Sequence, residues 1–162
     1  MKHRTQIKNR KTLIAILTAC LFVSVAGAAG STNSPVFQIP LAIDAPSGDS
    51  ELMSIVSSKE AVNVRKEVLL DESALKSAKA VTDKQGSTQI ELTFSGEGRK
   101  RFAEATRKNV GRRLAIIGAG RLYCAPMIRS EISGGKAIIV GFSSEREAKD
   151  LAAKFNEAIS KR

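Results

Sequence analysis

Tryptophan is missing from this 162-residue chain, tyrosine and histidine occur once each, and cysteine occurs twice. Each shortage closes a class of function. With aromatics at 4%, the core must rest on Val, Ile, Leu and Ala. Ring platforms of the kind that hold single-stranded nucleic acid are not available, and no nucleic-acid partner is expected. The single histidine, His3, lies in an N-terminal segment that reads as removable. Without it no imidazole remains to activate a serine or cysteine, or to ligate zinc. Acidic residues are scattered, so no metal site is expected and no cofactor is implied.

Negative charge is absent from the first eleven residues, where Lys2, Arg4, Lys8, Arg10 and Lys11 stand together. Residues 12–29, TLIAILTACLFVSVAGAA, then run without any charge. A basic start, an apolar stretch and small residues at its end make the pattern of a secretory leader. Ala26-Gly27-Ala28 supplies the small-x-small site, and cleavage after Ala28 is expected. Two alternatives stay open. The apolar run is just long enough for an uncleaved anchor, although Gly27 and the alanines contribute little transfer energy. Leu17-Thr18-Ala19-Cys20 has the loose shape of a lipidation site at Cys20, but Leu21-Phe22-Val23 continue the apolar run where a polar tether belongs. All three readings place the domain outside the cytoplasm, in the periplasm or on the outer face of the cytoplasmic membrane. If Cys20 leaves with the leader, Cys124 has no partner for an intramolecular disulfide. The chain carries 26 basic and 16 acidic side chains, and without its first five basic residues it is only mildly basic, at about +5.

The organisation is then 1–28 leader or anchor, 29–35 linker and 36–162 domain. Phe37, Ile39, Leu41 and Ile43 alternate in a strand, in which Pro40 demands an edge position or a bulge. Asp44 to Ser58 carries little signal. Ala61 to Leu70 alternates again, and Asp71 can cap a short helical turn through Leu75. Ala78–Thr82 and Thr88–Phe94 flank a glycine-containing link and read as a hairpin. Ser95 caps a helix to about Val110, with Phe102, Ala105, Thr106 and Val110 on one stripe and Gly111 as its stop. Leu114–Ile117 and Leu122–Ile128 form a second hairpin around Gly118-Ala119-Gly120-Arg121, and Gly134-Gly135 precede a strand at Ala137–Val140. Ser144 and Glu147 form a capping box for a last helix in which Ala148, Leu151, Ala152, Phe155 and Ile159 repeat at helical spacing. The expected fold is α+β, a two-layer sandwich of a mostly antiparallel sheet and two main helices.

Candidate chemistry is sparse. Cys124 sits inside an expected strand with no base beside it, so it reads as a small buried residue rather than a nucleophile. Gly96-Glu97-Gly98-Arg99-Lys100-Arg101 imitates the opening of a dinucleotide fingerprint, but Arg101 replaces the third glycine and no βαβ unit surrounds it. The helix at 95–113 carries Arg99, Lys100, Arg101, Arg107, Lys108, Arg112 and Arg113. That is a solvated face or a contact for an anionic membrane surface. No catalytic residue emerges.

Four blocks nevertheless form a pattern in order: VRKEVLLDESALKSAKA from Val64, IELTFSGEGRKRFAEATRKNVGRRLAII from Ile90, LYCAPMIRSEISGGKAIIVG from Leu122, and SEREAKDLA from Ser144. Together they resemble the head of the large first periplasmic domain of SecD, a membrane subunit of protein export. The match covers residues 60–155. It departs where the family usually has an Asp-Gly turn and this chain has Gly118-Ala119-Gly120. It departs again where Cys124 replaces a serine or other small residue, and where the aromatic after Gly141 is shifted to Phe142. The resemblance implies a ferredoxin-like head, contact with emerging polypeptide, and no catalytic residues. Neither the base of that periplasmic domain nor the membrane spans of SecD are matched, so no proton-driven motion is expected.

The expected function is that of an exported, non-enzymatic domain that binds polypeptide or an envelope protein. An open sheet edge would receive an extended chain, with the Pro40 strand as the candidate. The alternative is a membrane-surface tether using helix 95–113. The sequence leaves the oligomeric state open.

Overall fold

Phe37, Ile39 and Leu41 alternate along the first strand as the sequence predicts, and all three are buried. In the computed structural model, which describes residues 35–162, this strand, β1 (Phe37–Ile43), lies in the middle of a six-stranded sheet. Its neighbours are β3 (Ala61–Asp71) on one side and β6 (Arg113–Leu114) and β7 (Ile116–Gly118) on the other, all antiparallel. The sheet is completed by β2 (Ser50–Ser54) beyond β3 and β8 (Arg121–Cys124) beyond β7. Pro40 is therefore not on an edge strand, and of the two expectations only the bulge holds. The β3 register slips on both sides of Pro40, and between Pro40↔Val68 and Ala42↔Val64 the segment Arg65-Lys66-Glu67 lies opposite Leu41 alone. A residue that cannot donate is tolerated in a central strand because the partner loops out around it.

The strand β2 was not expected. Its residues SELMS are mostly exposed, so no buried alternation marks them. The sheet curls until β2 and β8 approach, where Ile55 bridges Leu122 and the Val56 N–H donates to the Leu122 carbonyl at 2.9 Å. Inside the curl lies a small core that includes Ile55, Val62, Val64, Ile117 and Leu122.

A second sheet has three antiparallel strands, with β5 (Thr88–Phe94) between β4 (Leu75–Thr82) and β9 (Lys136–Ile139). The fold is α+β with antiparallel strands and two main helices, as expected, but its strands divide into a curled half-barrel and this flat sheet. Asp71 caps the single turn Glu72–Ala74 that joins them, accepting from the Ser73 N–H at 2.9 Å.

Helix α1 (Gly96–Lys108) begins at Ser95, whose side chain accepts from the Gly98 N–H at 3.0 Å. It ends two residues before Val110, which is 52% exposed rather than part of the buried stripe. The chain turns at Gly111 with φ of 83°. Helix α2 (Glu145–Ser160) starts at Ser144, which accepts from the Glu147 N–H, while Glu147 reaches back to the Ser143 N–H at 3.0 Å. Its stripe of Ala148, Leu151, Ala152 and Phe155 is buried between the two sheets. Phe155 meets Phe37 of β1 edge-on at 5.4 Å.

Two glycines permit these close approaches. A Cβ on Gly118 would lie 2.9 Å from both Leu151 and Phe155. A Cβ on Gly98 would lie 1.9 Å from the Ala74 carbonyl oxygen. The glycines that imitate a nucleotide loop therefore include one whose role is packing α1 against the Glu72–Ala74 turn. Replacing Gly98 by Ala should cost at least about 2 kcal/mol, because backbone faces backbone and neither can yield cheaply. Gly96→Ala, with nothing within 4 Å of its Cβ, is the control, and urea denaturation of both variants checks the difference.

Candidate functional site

Cys124 closes β8, half-buried. Burial pushes its thiol pKa up, and the Val140 main-chain N–H is its only counteracting partner. A raised pKa leaves little thiolate at neutral pH, the opposite of what a nucleophile requires. The neighbouring Tyr123 is buried against Phe142, with ring centroids 4.9 Å apart, so the shifted aromatic after Gly141 has a packing role. Arg121 lies over the Tyr123 ring and pairs with Glu147 at 3.1 Å.

The basic residues around α1 are largely committed within the fold. Arg99 donates to the Ser133 carbonyl at 2.7 Å, and Arg101 donates to Leu69 and Ser73. Lys108 pairs with Glu104 at 2.7 Å, and Arg113 with Glu60 at 2.6 Å. A continuous free cationic face along 95–113 is not what the structure builds. Among the described residues no group of three or more His, Cys, Asp or Glu side chains is placed to hold a metal ion. The candidate processing residues Cys20 and Ala28 lie outside the described residues.

The flat sheet presents two edges that differ sharply. The Phe94 N–H donates to the Gly135 carbonyl at 2.9 Å, which fixes which residues of the neighbouring strand face β5. Main-chain groups alternate in an antiparallel ladder. With Leu92 opposite Ala137 and Ile90 opposite Ile139, Ala137 and Ile139 turn toward β5. Lys136 and Ile138 then direct their N–H and C=O groups outward, along an edge that carries no further strand among the described residues. Val140 belongs to the same outward set, and its N–H meets Cys124. The thiol thus ends the open edge.

On the far side, Ala78 lies opposite Leu92, so its main-chain groups must point away from β5. Asn156 of α2 satisfies both, accepting from the Ala78 N–H at 2.9 Å and donating to the Ala78 carbonyl at 2.8 Å. Arg162 donates to the Leu75 carbonyl at 2.7 Å and the Ser73 carbonyl at 2.6 Å. An amide and a guanidinium therefore stand where another strand would pair, which blunts this edge.

The open edge is also apolar. Ile138 is 47% and Val140 48% exposed, on the same outer face as Lys136, which pairs with Glu91 at 3.0 Å. An open cleft of about 530 Å³ continues from Val140 past Phe142 to the β4–β5 turn at Gly86. Sequence alone marked 137–140 as a strand but not as an exposed one. The available signal was Ile138 and Val140 in the alternate positions that a half-covered strand ordinarily gives to polar residues.

The family model described as SecDF, P1 head subdomain, matches residues 50–158. This chain belongs to the SecDF P1 head family. The protein translocase subunit SecDF of Thermus thermophilus is 51% identical over 84 residues, covering 52% of this chain and 11% of that protein. The SecD subunit of Leptotrichia buccalis is 44% identical over 85 residues, covering 52% of this chain and 21% of its own length. The chain thus spans about a fifth or less of these two relatives. Among solved structures, SecDF in a super-membrane-facing form aligns with a TM-score of 0.64 and 33% identity, over 75% of this chain and 18% of that one. A structure of SecDF, described as a membrane component that enhances protein export, aligns with a TM-score of 0.61 and 31% identity, over 75% of this chain and 61% of that one. The resemblance read from the sequence and the α+β fold are both shown. Among the described residues of this SecDF head, no helix is long and apolar enough to cross a membrane.

The Cys124 thiol, beside Val140 just past β9, gives a direct test of how this face is built. Cys124 in the folded protein should react with a maleimide at least about tenfold more slowly at pH 7 than in urea. Its labelling rate should rise with pH at a midpoint above that of free cysteine, since burial favours the neutral thiol. Rates followed by mass spectrometry across pH check both points.

Proposed function

We propose that this SecDF head is an exported polypeptide-binding domain that takes up an extended chain by strand addition along the outer edge of β9. The observation that carries the reading is the contrast between the two edges of the flat sheet. One is capped at its Leu75–Ala78 end by Asn156 and Arg162. The other presents the outward main-chain groups of Lys136 and Ile138 beside exposed apolar side chains. Main-chain bonding supplies affinity without demanding a particular sequence, and Ile138 and Val140 offer a surface for every second residue of the guest. That suits a domain that meets many unfolded chains.

The edge named here replaces the Pro40 strand, whose interior position excludes it. The relatives' place in protein export, the leader pattern of residues 1–28 and the linker at 29–35 support the export reading. No step of the proposal involves bond making, and the domain acts as a binding module rather than an enzyme.

Ile138→Pro discriminates because the Ile138 N–H points away from β5. The proline deletes an outward donor while sparing the β5 ladder, so the fold should persist by circular dichroism. Binding of a fluorescent, unfolded secretory polypeptide should weaken at least about fivefold, as loss of one hydrogen bond near 1 kcal/mol implies. A photo-crosslinker at position 138 should capture the same polypeptide. No crosslinking above an unrelated basic protein would sink the proposal.

A further inference from the structure

We infer that the guest at β9 runs antiparallel to it and is read over three residues, an apolar first and a non-basic third. The inference rests on strand addition at this edge, and it adds the guest's direction and its preferred sequence.

Both ends of the edge are closed. The Val140 N–H meets Cys124, and Gly141 follows with φ of 95°. At the other end Gly135 has φ of 72°, outside the extended region, and its carbonyl accepts from the Phe94 N–H on the inward side. Extended backbone therefore begins at Lys136. Within β9 only Lys136 and Ile138 turn both main-chain groups outward, since Ala137 and Ile139 face β5.

The two directions of pairing use these groups differently. In an antiparallel pair, residues directly opposite exchange both bonds, so guest residues opposite Ile138 and Lys136 satisfy every outward group. Three guest residues suffice, and they lie wholly between Gly135 and Val140. In a parallel pair, each edge residue bonds the guest residues on either side of the one opposite. The same bonds then need five guest residues. These reach from Gly135, where the backbone has left the strand, to Ile139 beside the Cys124 end. The bounded edge fits the antiparallel guest, whose chain runs from the Cys124 end toward Gly135.

Side-chain preferences follow from this register. The first guest residue lies opposite Ile138 with Val140 diagonal to it, both exposed on the outer face. A β-branched or aromatic side chain there gains a cross-strand contact. The third lies opposite Lys136, which already pairs with Glu91 at 3.0 Å. A lysine or arginine at that position sets like charges opposite each other, which is unfavourable. Proline is excluded at both positions, because each must donate its N–H. It is accepted at the middle one, whose N–H faces away from β9.

The test uses the full chain and a fluorescent peptide, Gly-Ser-Val-Gln-Thr-Ser-Gly, with a benzophenone just before or just after the Val-Gln-Thr triplet. Mapped by mass spectrometry, the leading benzophenone should crosslink to residues 123–124 and 142, and the trailing one to residues 133–135. N-methylation of the peptide's Val or Thr should weaken binding about fivefold, and N-methylation of its Gln should leave binding unchanged. Replacing the Val by Ser, or the Thr by Lys, should weaken it about threefold. Exchange of the two crosslink sites overturns the direction while strand addition stands. An equal cost of N-methylation at all three residues overturns the register, and indifference to both replacements overturns the preferred sequence. Crosslinks at neither end, with binding that Ile138→Pro does not weaken, overturn strand addition itself.

Discussion

The burial of one stripe of α2 between the two sheets is the interaction on which the rest depends. Leu151 and Phe155 reach the half-barrel through Phe37 and through the bare backbone of Gly118. Ala148 and Ala152 lie in the same buried core as Ala78, Ile90 and Leu92 of the flat sheet. Each large apolar side chain removed from water contributes about 1.5–3 kcal/mol. The greater consequence is positional. With α2 seated, Asn156 and Arg162 fall against β4 and take the outward main-chain groups of Ala78 and the Leu75 carbonyl. The helix that joins the sheets thereby caps the Leu75–Ala78 end of one edge of the flat sheet.

The edge of β9 then stands as an exception to the usual protection of strand edges. It is short, four residues, which limits self-association. The pairing of Lys136 with Glu91 keeps charge beside the apolar pair, and Cys124 closes the run at Val140. An edge so bounded admits a brief extended segment and resists long sheet growth. That is the physical requirement for transient, sequence-tolerant capture of unfolded chain, the role proposed for this edge.

How much was legible beforehand follows from how each signal arises. Helix α2 was readable because its cap and its 3.6-residue period agree, and β5 because Ile90, Leu92 and Phe94 face one core. Strand β2 was not, since Leu52 and its neighbours bury too little to leave a pattern. Pro40 announced an irregularity, but a missing donor cannot say whether the strand lies at an edge or loses its register in the middle. Val110 fits the helical stripe on paper and falls outside it because α1 ends first at Lys108, capped by Asn109. Cys124, read as a small packed residue, lies half-buried at the end of β8 with its thiol pKa raised by burial. The proposed binding edge stayed hidden because edge status depends on strand order, and the order β4-β5-β9 is set by long-range packing that no local pattern records.

The most direct measurement is residue-resolved hydrogen exchange of β9 with and without a saturating extended peptide. Strand addition predicts that the outward amides of Lys136 and Ile138 slow markedly, while the inward amides of Ala137 and Ile139, already bonded to β5, barely change. Uniform slowing of all four, or slowing confined to another surface, would contradict a guest strand at this edge.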